Sequence, residues 1–89
     1  MGNPLHYEKE ILERIAQEAT IAEDGSAKIS VEKLHKIIGQ EAQVLSEFSV
    51  KKVLRFFELC GYIKLRQDGF FDVDLVSVEA RIKKLEKKA

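Results

Sequence analysis

Eighty-nine residues, with 15 Lys and Arg against 15 Asp and Glu, give a chain of zero formal net charge. That length allows one domain, large enough to bury a core without metal or disulfide staples. A single Cys60 excludes an internal disulfide, and no apolar stretch approaches the roughly 20 residues of a membrane span or signal sequence. No membrane partner is therefore expected, and the expected location is intracellular and cytoplasmic.

The charge is unevenly spread. Residues 1–27 carry two cations against six acids, whereas residues 28–66 carry eight cations against four. An acidic start and a basic middle suit a protein with one face turned toward a polyanion, and equally a plain solvated surface.

In chain order, Asn3-Pro4 predicts a helix start, because Asn caps free amides and Pro is tolerated at the first helical position. At about 100° per residue, Leu5, Ile11, Leu12, Ile15, Ala16, Ala19 and Ala22 share one arc, which predicts a helix over 4–22. Asp24-Gly25-Ser26 ends it. Residues 27–30 are long enough only for a small strand, and Ser30 predicts the cap of a second helix over 31–38. Its inward residues are Val31, Leu34, Ile37 and Ile38, with Gly39 as a left-handed stop. Residues 40–46 read either as a loop or as a further helical turn.

The third helix begins with Ser46 or Ser49 as its cap and runs to Cys60. Val50, Val53, Leu54, Phe57 and Cys60 share the core arc, while Lys51, Lys52, Arg55 and Glu58 occupy the opposite one. Leu59 sits within the charged arc and Phe56 on its border, which predicts that the C-terminal helix or a partner covers them.

Two alternating runs follow. A three-residue loop, Gln67-Asp68-Gly69 with glycine left-handed, pairs Leu65 with Phe71 and Ile63 with Val73, so that one face is buried. It also sets Lys64 opposite Asp72 as an ion pair and Arg66 beside Phe70 as a cation–π contact. From residue 76 the helical period returns. Leu75, Val78, Ile82, Leu85 and Ala89 recur at steps of three and four, a seam to be covered by the first helix or by a second copy.

Enzyme chemistry finds little support. Cys60 reads as a small hydrophobe of the core, His6 and His35 lack a matching ligand set, and no glycine loop suited to phosphate is present. The chain is therefore read as a non-enzyme without cofactor or metal.

Helix, short strand, helix, helix and hairpin, with Val50, Leu54, Phe57 and Gly61 followed by Tyr62-Ile63, resembles the winged helix-turn-helix superfamily over roughly residues 5–75. The resemblance implies an α+β fold, mainly helical with a small β-hairpin, in a single domain of residues 1–89. Its core spans 4–75, and its C-terminal helix, 76–89, packs on that core or forms a dimer. It also implies double-stranded DNA as partner, with Lys51, Lys52 and Arg55 at the major groove or its phosphates and Lys64, Arg66 and Gln67 on the wing. Such a chain is expected to be a homodimeric transcriptional regulator or chromatin-type protein. The alternative is a winged-helix subunit of a larger assembly, whose protein interface includes Phe56, Leu59, Val78, Ile82 and Leu85.

Overall fold

The computed structural model describes residues 7–42 and 47–88. Ile11, Leu12 and Ile15 line one face of α1 (Glu8–Glu18) and are fully buried. The helix stops four residues short of the predicted end, because Ala19 turns to an extended conformation. Thr20 and Ile21, β-branched residues that suit a pleated strand, form β1 (Thr20–Ile21), which pairs antiparallel with β2 (Ala27–Ser30). The intervening turn holds Gly25 at φ +88°, and Asp24 accepts hydrogen bonds from the Ser26 N–H and hydroxyl at 2.9 and 2.7 Å. Those Ser26 bonds, the hydroxyl's first, hold the Asp24 carboxyl below its usual pKa. The predicted cap at Asn3-Pro4 lies outside the described residues.

Ser30 caps α2 (Val31–Glu41), its hydroxyl accepting from the Lys33 N–H at 3.1 Å. Gly39 is not the stop. The helix passes through it, with positive φ among the described glycines only at Gly25, Gly61 and Gly69. Continuation buries Ala42 one turn after Ile38, and the Ala42 N–H closes on the Ile38 carbonyl at 3.0 Å. A glycine inside a helix costs about 1 kcal/mol relative to alanine, which this added packing offsets. Gln40 and Glu41 are thus helical, and 43–46 lie outside the described residues. Arg14 ties α1 to α2 through Gln40 at 2.7 Å and Glu41 at 3.2 Å.

α3 (Glu47–Leu59) buries Val50, Val53, Leu54 and Phe57. Ser49 lies inside it and so does not cap it; Ser46 is outside the described residues. The helix ends in a Schellman turn, with Tyr62 N–H bonded to Phe57 O and Gly61 N–H to Glu58 O, each at 3.1 Å, and Gly61 at φ +83°. This turn corrects the reading of Cys60. It swings Tyr62 back edge-on to Phe57, ring centroids 5.6 Å apart, and leaves Cys60 exposed.

The hairpin of β3 (Ile63–Leu65) and β4 (Phe70–Val73) has the predicted register, with Ile63 opposite Val73, Lys64 opposite Asp72 and Leu65 opposite Phe71. Arg66 N–H bonds Phe70 O at 2.8 Å across the three-residue loop, and Gly69 has φ +84°. Two side-chain contacts differ from expectation. Asp72 bonds Arg66 at 3.1 Å rather than Lys64, and the cation over Phe70 is Lys28, 4.6 Å from the ring centroid, rather than Arg66. The reason is β2. It pairs with the other edge of β4, with Lys28 opposite Asp72, and completes an antiparallel sheet in the order β1-β2-β4-β3. Among the described residues the fold is α+β with four helices and a four-stranded sheet, in which the small strand expected at 27–30 joins the hairpin and β1 is an addition to the expected elements.

Beyond β4, Asp74 caps α4 (Leu75–Lys88), accepting from the Ser77 N–H at 3.2 Å and the Ser77 hydroxyl at 3.0 Å. The seam of α4 meets α1 of the same chain: Val78 is fully buried, and Leu75, Ile82 and Leu85 pack half-buried on the core.

Nothing lies within 4 Å of a Cβ built on Gly69, so the residue is required by backbone conformation and not by space. Gly69→Val is expected to destabilise the fold by roughly 1–2 kcal/mol, with Gly69→Asn much milder. Urea unfolding of the two variants checks this, and equal losses would contradict the left-handed requirement.

Candidate nucleic-acid interface

Packing of Val50, Leu54 and Phe57 into the core turns the opposite side of α3 to solvent, so that Lys51, Lys52, Arg55 and Glu58 are exposed. Lys51 and Arg55, one turn apart, line a groove whose other walls come from α2 and the hairpin, with Leu54, Leu65 and Phe71 beneath them. Lys52 stands on the adjoining stripe, seven residues before Leu59.

The hairpin cations are placed differently. Alternation along β3 turns Lys64 away from the helices, into a row with Asp72 and Lys28 across three strands. Arg66 is bonded to Asp72 at 3.1 Å and paired with Asp68 at 3.3 Å, and Gln67 is exposed at the loop. Lys51 and Arg55 thus share one concave surface, while Lys64 and Arg66 project from the other face of the hairpin. Two carboxylates already share the charge of Arg66.

Leu59 is 78% exposed, so α4 does not cover it, and Phe56 is half-buried, tilted against Phe57 with centroids 5.8 Å apart. Val78 is occupied within the chain, whereas Ile82 and Leu85 retain accessible surface. Leu65, expected on the buried face of the hairpin, is 56% exposed because β3 is the edge strand and Leu65 is its last residue.

Sequence reasoning missed one polar cluster. Glu8 is 1% exposed, and its carboxylate accepts from the Tyr62 hydroxyl at 3.1 Å and from two Arg81 nitrogens at 3.0 and 3.1 Å. Burial, reinforced by the Glu8 carboxylate, pushes the Tyr62 hydroxyl far above its usual pKa, and the bond to Glu8 raises that of Arg81. The cluster joins the start of α1, the turn after α3 and the middle of α4, and so fixes the base from which α3 and the hairpin project. A signal was present. Glu8 precedes Leu12 and Ile15 by four and seven residues on the apolar arc, and Arg81 adjoins Ile82 on the seam.

No family model, curated protein or solved structure matches the chain. His6 lies outside the described residues, and among those described no three His, Cys, Asp or Glu side chains form a group suited to a metal ion. No described helix is long and apolar enough to cross a membrane.

Proposed function

We propose that the chain is a winged helix-turn-helix module that binds double-stranded DNA, as a transcriptional regulator or chromatin-type protein. The observation that carries the reading is the exposed arc of Lys51, Lys52 and Arg55 on a helix that leads directly into a β-hairpin. Such an arc is suited to the phosphates that border a major groove, and the adjoining hairpin presents Gln67 at its tip for the backbone beside it, while Lys64 lies on the hairpin's other face. Lys28, absent from the sequence-based set, adds a cation to the same sheet face. Arg66 contributes less than its formal charge because Asp68 and Asp72 hold it.

Three phosphate contacts, from Lys51, Lys52 and Arg55, give a slope of log affinity against log salt of about −2.7 for B-form DNA. Fluorescence anisotropy with a labelled mixed-sequence duplex between about 50 and 200 mM salt measures it. A homodimer joined through Ile82 and Leu85 would steepen the slope. No change in anisotropy at low salt and high micromolar protein would sink the DNA reading.

One observation favours a protein-interaction module instead. Leu59 stands exposed at the end of α3 beside half-buried Phe56, and burial of such a leucine by a partner is worth roughly 1.5–3 kcal/mol. Under that reading Phe56, Leu59, Ile82 and Leu85 form the contact surface and duplex binding is absent.

A further inference from the structure

β3 is an edge of the sheet, and its outward backbone groups can be assigned. Bonded and non-bonded pairs alternate along an antiparallel ladder. Arg66 N–H bonds Phe70 O and Asp74 N–H bonds Tyr62 O, so the pair between them, Lys64 with Asp72, is the bonded one. The N–H and C=O of Ile63 and Leu65 therefore point away from β4. Beside Leu65 lies the groove between α2, α3 and the hairpin. Buried Leu54 and Phe71 and exposed Leu65 make it apolar below, while Lys51 and Arg55 make its margin basic, with Glu58 as an opposing charge on α3.

We propose that this edge and groove bind an extended peptide segment in which apolar side chains alternate with Asp or Glu, added as a further strand alongside β3. Main-chain bonds would form with Ile63 and Leu65, and alternate side chains would reach the two faces of the added strand. Apolar side chains meet Leu65 and Leu54. With the apolar side chains on the groove face, the alternating carboxylates all fall on the outer face of the added strand, beside Lys64. Charge selects this occupant over a second copy of the chain, since antiparallel pairing of two β3 strands about their centres would set Lys64 against Lys64. The inference rests on the strand edge and the groove and not on the DNA reading. Because Lys51 and Arg55 also belong to the proposed duplex surface, peptide and duplex should exclude one another.

The test uses a fluorescein-labelled decapeptide alternating Asp with Val, a counterpart alternating Lys with Val, and a third with Asp and Val segregated into two blocks. The alternating acidic peptide is expected to bind at micromolar concentrations and the other two at least about 10-fold more weakly, a difference of about 1.4 kcal/mol. Leu65→Pro removes an outward N–H and the leucine side chain but leaves the β3–β4 bonds in place, as an edge strand tolerates. It should weaken the alternating acidic peptide by about 10-fold or more. Equal binding of the segregated peptide, or unchanged binding to a folded Leu65→Pro variant, would overturn the proposal. If that variant fails to fold by circular dichroism, amide shifts decide: on peptide addition to the wild type, those of Ile63 and Leu65 must move, and unmoved signals overturn it. Loss of peptide binding with duplex binding intact rejects this inference alone. Peptide binding without duplex binding supports it and rejects only the DNA reading.

Discussion

Phe57→Ala is expected to lower the folding free energy by about 3–5 kcal/mol, a large part of the roughly 4–13 kcal/mol that a domain of this length holds. Phe57 is fully buried and contacts the rings of Phe56 and Tyr62, the second edge-on. Its loss costs the transfer of the ring and leaves a cavity between α3 and the start of β3. The backbone there cannot collapse freely, since the Phe57 carbonyl receives the Tyr62 N–H and the Tyr62 carbonyl receives the Asp74 N–H. Thermal and urea unfolding measure the effect. A loss below about 1 kcal/mol, the scale of a surface substitution, would mean that the ring does not organise this junction.

Arg81→Leu should destabilise by about 3 kcal/mol, the low end for breaking a buried ion pair. The low end applies because the Arg81 side chain retains 29% of its exposure while that of Glu8 retains 1%. Removal of Arg81 leaves a buried carboxylate with Tyr62 as its remaining partner in the cluster. Glu8→Leu together with Arg81→Leu removes the stranded charge as well, so the double variant should be more stable than Arg81→Leu alone. Urea unfolding of the cycle reads the coupling directly. If the two losses simply add, Glu8 and Arg81 do not act as a pair.

The elements most legible in the sequence are those governed by one strong local rule. The hairpin register follows from a period of two and a glycine that must be left-handed, and the core face of α3 follows from Val50, Val53, Leu54 and Phe57. Sequence and structure part where a competing rule is nonlocal. Ala19 and Ala22 continue the helical period of α1, yet Thr20 and Ile21 leave the helix to pair with β2. Gly39 stays helical because Ala42 still has core to cover. Cys60 lies on the apolar arc, but the Schellman turn gives its place to Tyr62.

For the candidate site, the cationic arc of α3 is readable from angular position alone. The partners of the hairpin charges are not, because they depend on the third strand: Lys28 opposite Asp72 reorganises the surroundings of Lys64, Arg66 and Phe70. Glu8 on the apolar arc of α1 and Arg81 beside the seam of α4 hint at burial in the sequence, but nothing local names either as the other's partner. Only the packing of α4 on α1, far apart along the chain, makes them a buried pair.

Duplex binding by a charge-reversed α3 tests the central claim most directly. Lys51→Glu with Arg55→Glu alters two exposed side chains outside the core, so the circular dichroism spectrum and melting temperature should stay close to wild type. Because each substitution turns an attraction for phosphate into a repulsion, affinity for the labelled duplex at about 50 mM salt should fall by about 100-fold or more. Wild-type affinity in the folded double variant, or no duplex binding by either protein, would contradict the account.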